Sequence, residues 1–236
     1  MVIKVKNSIL RQTLEEIPNR EIINASELYI NKINGLMGEA AYYKALERLV
    51  KEHYLEKIAK GIYTKPEKSR YGLLLPTEEN IVIEYTERGR GLVVGYRMYN
   101  ELNISTQIAK STKIYSKAIS QSTKTIGNIK IEKHLNDYNN ETCAAISMFE
   151  ILKNYYTIQE FNYNGFLELI RKFVENYKES VVNYVIDNYK YPKSSIAFLR
   201  NILNHFGVEN KLDIHLSELS KYQYPTMEEI YELARI

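Results

Sequence analysis

The chain has 236 residues and a formal net charge of only +3, so no functional class follows from its global charge. Apolar residues make up 44%, enough for buried cores, which excludes a disordered or low-complexity chain. A single cysteine, Cys143, excludes an internal disulfide framework and a cysteine-based zinc site. It sits in the apolar run TCAAISMF and reads as a core thiol.

In chain order, residues Val2 to Glu16 read as a helix with Ile3, Leu10, Leu14 and Ile17 near one face, broken at Pro18-Asn19. Asn24 opens a second helix with Glu27 three residues on, the spacing of a capping box. Leu28, Ile30 and Ile33 give it apolar cover, and Asn34-Gly35 ends it. A third helix runs from Glu39 to His53, with Tyr42, Leu46, Leu49 and Val50 on one buried stripe. Ala41 and Ala45 allow a neighbouring helix close, and Tyr43, Lys44, Glu47, Arg48 and Lys51 face the other way. The period then becomes two. Leu55 and Ile58 point inward, Lys57 and Lys60 outward, Gly61 supplies a turn, and Ile62, Tyr63 and Thr64 form a strand stopped by Pro66. A helix running into a small basic hairpin is the outline of a winged helix-turn-helix.

Beyond Pro76, Thr77 caps a helix beginning Glu78-Glu79 and running to about Glu87. A turn at Arg88 to Gly91 leads to a short strand at Leu92-Val94 and a short helix at Tyr96 to Leu102. Ile114 to Ile119 and Ile126 to Ile131 read as strands, with Gly127-Asn128 as a bulge in the second. From Thr142 the pattern is helical: Thr142–Tyr156, Tyr163–Tyr177, Val181–Asn188, Ser194–Phe206 and Thr226–Ala234, with a helix end at Asn204 to Gly207. The expected class is α+β, mainly helical. Residues 1–76 form a winged helix-turn-helix domain. Residues 77–236 form a second region, mixed α/β over 77–135 and helical over 136–236.

Local charge points to a polyanion. Lys57, Lys60, Lys65, Lys68 and Arg70 face only Glu67 in their stretch. The candidate DNA contacts are Tyr43, Lys44 and Arg48 on the third helix, Lys57, Lys60 and Lys65 on the wing, and Lys68 and Arg70 just after it. The plainer reading of Lys44 and Arg48 is a solvated face, which Glu47 favours. From Ser105 to Ile131 there are five lysines and no acid. Lys113, Lys117, Lys124 and Lys130 form a second candidate nucleic-acid surface, with Lys110 beside them. A charged sheet edge that resists aggregation reads equally well.

The segments LERLVKEHYLEKIAKGIYTKPEKSRYG, LLLPTEENIV and GLVVGYRMYNELNISTQ together resemble the AbiEi family, the antitoxin and regulator partners of abortive-infection (type IV) toxin–antitoxin systems. The resemblance is best from about Ala25 to Ile131, and KGIYTKP is its most specific phrase. It implies an N-terminal winged helix that binds operator DNA and represses its own operon. It also implies a C-terminal domain that neutralises a nucleotidyltransferase-like toxin without a stable complex; the second lysine strip would then either extend the DNA footprint or meet the RNA on which such toxins act.

Enzyme readings fare worse, and none is expected. His53, His134, His205 and His215 are scattered without metal-ligand spacing, and no phosphate-cradling glycine loop or Gly-x-Ser-x-Gly elbow appears. Asp137, Asp187 and Asp213 lie far apart, unlike the spaced aspartates of the toxin partner. No cofactor or metal is expected. No signal peptide or membrane-length apolar run is visible, so a cytoplasmic location is expected. Two other readings stand beside the antitoxin: a winged-helix transcription factor without a toxin, and a protein-interaction module.

Overall fold

The computed structural model describes residues 2–217 and 219–235, with side chains from residue 9 onward. It is a mixed α+β structure in two compact units. One takes the chain up to Glu84 together with Thr125–Gly127, and the other takes Tyr85–Lys124 and Asn128 onward. The division falls inside a helix, eight residues beyond Pro76.

In the first unit, α1 (Val2–Glu15) is followed by β1 (Ile23–Asn24), α2 (Ala25–Leu28), a wider helical turn (Tyr29–Ile33) and α3 (Glu39–Lys51). Strands β2 (Glu56–Ala59) and β3 (Ile62–Thr64) then complete a three-stranded antiparallel sheet in the order β1-β3-β2. Asn24 caps α2, but its side chain accepts from the Ser26 backbone N–H and not from that of Glu27, as the expected capping box would require. Gly35 takes a φ of +88° where α2 and its extension end. The core gathers Leu10, Leu14, Ile33, Tyr42, Leu46, Leu49 and Leu55. Ile3 lies among the residues whose side chains are not described. Two apolar expectations fail. Ile30 is 68% exposed, because the widened turn rotates it off the buried face, and Ala41 is exposed while Ala45 alone is buried.

Past Pro66 the chain forms a second hairpin, β4 (Glu67–Ser69) and β5 (Gly72–Leu74), which no pattern in the sequence announces. Then α4 (Glu78–Thr86) starts on a reciprocal cap. The Asn80 N–H donates to Thr77 Oγ1 at 3.3 Å and the Thr77 N–H donates to Asn80 Oδ1 at 2.9 Å.

A four-stranded sheet in the order β6-β7-β9-β8 belongs to the second unit except for Thr125 and Ile126: β6 (Gly91–Val94), β7 (Thr112–Ser116), β8 (Thr123–Ile126) and β9 (Ile129–Lys133). Helix α5 (Tyr96–Glu101) follows β6. Gly127-Asn128 is not a bulge; it separates β8 from β9, with Gly127 at φ +55°. β7 pairs antiparallel with β6 and parallel with β9. Five helices follow, matching the expected ones within a few residues: α6 (Asn140–Asn154), α7 (Tyr163–Glu175), α8 (Glu179–Tyr189), α9 (Lys193–His205) and α10 (Met227–Leu233). Asn139, Asn162 and Thr226 cap three of them through their side-chain oxygens. Helix α6 is the centre, with Ile146, Phe149 and Ile151 fully buried beside Phe166, Leu199 and Ile202. Cys143 is half-buried on this helix rather than sealed in the core, and burial pushes its thiol up to about 11.

Candidate nucleic-acid interface

Helix α3 exists because its apolar residues share one side and its charges suit its ends. Glu39 lies in the first turn, and Arg48 and Lys51 in the last. With Tyr42, Ala45, Leu46 and Leu49 buried, Lys44, Glu47 and Lys51 stand on the opposite, exposed face. Lys44 and Lys51 are seven residues apart and so nearly superposed along that face. Tyr43 is half-buried on the flank, its ring edge-on to Tyr42 at 5.2 Å, and burial and then Glu39 push its phenol pKa up. Arg48 occupies the other flank, lining a small groove with Leu10, Arg11 and Glu52, and it is already engaged by a neighbour. Of the three predicted helix contacts, Lys44 and Arg48 are exposed and Tyr43 is half-buried.

The β2–β3 hairpin turns at Lys60-Gly61, where Ala59 pairs with Ile62 and Gly61 takes φ +72°. Its tip is held in place: the Ala25 N–H donates to the Gly61 carbonyl at 3.0 Å, at the start of α2. Its far strand is held too. Thr64 Oγ1 donates to the Glu21 carbonyl at 2.8 Å, and the Arg20 N–H donates to the Lys65 carbonyl at 2.8 Å. Lys57 and Lys60 are exposed on this fixed frame. Lys65 is half-buried, and its ammonium lies 3.4 Å from the Glu15 carbonyl at the C-terminal end of α1, where the helix dipole favours a cation.

Lys68 is exposed on β4, and Arg70 sits in the β4–β5 turn with its guanidinium 4.6 Å from the centre of the exposed Tyr71 ring. Lys65 and Lys68 also share a cleft of about 440 Å³ with Arg11, Asn19, Glu52, His53, Tyr54 and Pro66. Arg11 is a basic residue that the sequence reading passes over. It pairs with Glu52 and stacks on the Tyr54 ring at 5.2 Å. It lies 41 positions from Glu52, and only the fold brings the two together.

The second lysine strip is less positive than its sequence suggests. Glu132, one residue beyond the acid-free segment, bonds Lys113 at 3.0 Å and Lys130 at 2.9 Å, and Asp137 bonds Lys117 at 3.1 Å. Parallel pairing of β7 with β9 sets Lys113 beside Lys130 and creates this shared partner. Burial raises the Glu132 pKa, but the hydrogen bonds from Lys130 and Lys113 outweigh it and hold the carboxyl below its ordinary value. Lys124 also has a partner. Beneath the strip lies a group with no sequence signal, the buried Glu150 on α6, which accepts from the Tyr115 hydroxyl at 3.0 Å.

Among the described residues, no three His, Cys, Asp or Glu side chains assemble as a metal site, and no helix is long and apolar enough to cross a membrane. No curated protein matches this chain. Among solved structures, the crystal structure of the RV2827C protein from Mycobacterium tuberculosis is similar, with 8% identity and a TM-score of 0.44 over 86% of this chain and 78% of that one. The family described as "Family of unknown function (DUF6088)" matches residues 20–146, more than half of the sequence, and the chain belongs to that family.

Proposed function

We propose that this protein is a DNA-binding antitoxin that represses its own operon and neutralises a nucleotidyltransferase-like toxin. The reading rests on one order of elements. Three helical segments and a β1-β3-β2 sheet include α3, with its exposed lysines, followed by a basic hairpin whose tip is fixed to the start of α2. That order of elements is the one by which a winged helix-turn-helix lays a helix in the major groove and a wing along the backbone. Lys44 and Lys51 would approach base edges. Lys57 and Lys60 would contact phosphates, which add affinity without sequence information. The antitoxin part comes from the AbiEi resemblance of the segments between Ala25 and Ile131.

The full chain should shift a duplex carrying its own promoter, with an affinity that falls steeply as salt rises. Absence of any shift at low salt overturns the DNA-binding reading. Rescue of growth when the chain is co-expressed with a nucleotidyltransferase-like protein from the adjacent gene tests the antitoxin reading. A protein that binds the promoter but never rescues growth is a transcription factor without a toxin.

A further inference from the structure

Midway along the outward face of α3, the exposed Glu47 stands between Lys44 and Lys51. Lys44 lies three residues before it and Lys51 four after, both at spacings where a helix forms ion pairs. Among the described residues, Glu47 nevertheless makes no ion pair and no side-chain hydrogen bond. Burial and then the Glu47 charge push up the phenol pKa of Tyr63 on β3, so the carboxylate lies on the side of α3 toward the basic hairpin. An acid there opposes its surroundings. Lys44, Lys51, Lys57 and Lys60 favour phosphate, whereas a carboxylate near a DNA backbone is repelled. That cost is offset only if the carboxylate finds a donor, since in its ionised form it accepts hydrogen bonds and never donates. In the major groove, thymine offers a carbonyl oxygen and a methyl group, and guanine offers two acceptors. Adenine has an amino group, but its N7 acceptor stands beside it and repels the second carboxylate oxygen. Cytosine offers an amino donor alone.

We propose that Glu47 is a specificity residue that accepts from the N4 amino group of a cytosine, with a guanine read by Lys44 at the neighbouring base pair. This role presupposes the winged-helix reading above and adds the base pairs that α3 selects. Three residues advance a helix by about 4.5 Å. Stacked base pairs are roughly 3.4 Å apart, so Lys44 and Glu47 fall on successive pairs. Lysine donates to guanine O6 and N7, the acceptors that a carboxylate cannot use.

The test is selection from a library of random duplexes with the full-length protein. The parent should enrich a site with cytosine and guanine at neighbouring positions. Glu47→Gln should enrich adenine in place of that cytosine and leave the other positions unchanged, because an amide accepts from adenine N6 and donates to N7. Glu47→Ala should lower the preference for cytosine there about tenfold. Lys44→Ala should relax the neighbouring guanine instead. Glu47 is exposed, so thermal unfolding of both Glu47 variants should match the parent. An acid that is only solvated gives another result: Glu47→Ala and Glu47→Gln then bind every duplex more tightly and enrich the parent's site. That outcome, or a parent site without such a cytosine, overturns the base assignment and leaves DNA binding standing. A parent that shifts no duplex at low salt overturns both. The parent's own site decides even if a variant fails to fold.

Discussion

Single side chains divide between holding the fold and meeting a ligand, and the two roles give different readouts. Tyr42 is fully buried, and its hydroxyl donates to the Ala25 carbonyl at 3.0 Å, tying α3 to the start of α2. Tyr42→Phe removes one of two bonds to that carbonyl, which keeps the Tyr29 N–H, and should cost about 1 kcal/mol in urea unfolding, whereas Tyr42→Ala should cost about 3–5 kcal/mol. The lysines sort the other way. Lys57→Ala with Lys60→Ala should lower affinity for every duplex and flatten the salt slope by about one unit per lost phosphate contact. Lys65→Ala should act mainly on stability, since its ammonium serves the end of α1. Lys44→Ala should reduce discrimination between promoter and random duplex, and Arg48→Ala should do so less, since Arg48 is exposed but already engaged by a neighbour. His134 supplies a pH test. It lies between Tyr115 at 4.4 Å and Tyr189 at 4.6 Å, and burial lowers its pKa below 6.5, against the opposing pull of Glu132. The unfolded chain then binds more protons than the native one below the unfolded value. Stability should therefore rise with pH between the native and unfolded values of this imidazole and level off on either side, and His134→Gln should flatten the slope.

At the scale of elements, close approach fixes how α7 begins. Gly165 lies so near the loop before it that an added Cβ would sit 2.0 Å from the Asn103 carbonyl oxygen. The Asn162 N–H donates to the Ile104 carbonyl at 2.7 Å, and Asn162 Oδ1 accepts from the Gly165 N–H, so the start of the helix cannot step back. Gly165→Ala should cost about 1–3 kcal/mol by thermal unfolding, more than glycine-to-alanine changes at open helix sites. Elements of this kind were legible where their signals are local. The five C-terminal helices were read from their apolar period alone, and the Asn139, Asn162 and Thr226 caps that fix the starts of α6, α7 and α10 went unread although they act within three residues. The stripe on α3 follows from a 3.6-residue period. The β4–β5 hairpin was not legible because nearly all of it is exposed on both faces, so no alternation marks it. Gly127-Asn128 carries the same residues in a bulge and in a hairpin turn, and only pairing between strands separates the two. The candidate site divides likewise. The wing cations could be read from the chain, but the flank position of Arg48, the Arg11–Glu52 pair and the Glu132 partner of Lys113 and Lys130 depend on tertiary placement.

Taken whole, the molecule has two hydrophobic cores and a sheet that cannot form from neighbours alone. β7 pairs in parallel with β9, so the chain must leave β7, build β8 and return before that ladder closes. Such pairing closes a loop before it is rewarded, and refolding of the second unit should be slower than that of a helical domain of its size, as stopped-flow ellipticity would show. The aromatic cluster beside this ladder has an optical consequence. The protein has 21 tyrosines and no tryptophan, so its near-ultraviolet absorbance is that of phenol rings. Burial holds the Tyr189 phenol up at about 12 and pushes Tyr115, Tyr138 and Tyr191 higher still. Above pH 10 the native state then keeps protons that the unfolded chain releases, so stability falls as pH rises. In an alkaline titration the phenolate band should grow in two stages, with the second, abrupt stage coinciding with loss of helical ellipticity, because those rings ionise only when the fold opens.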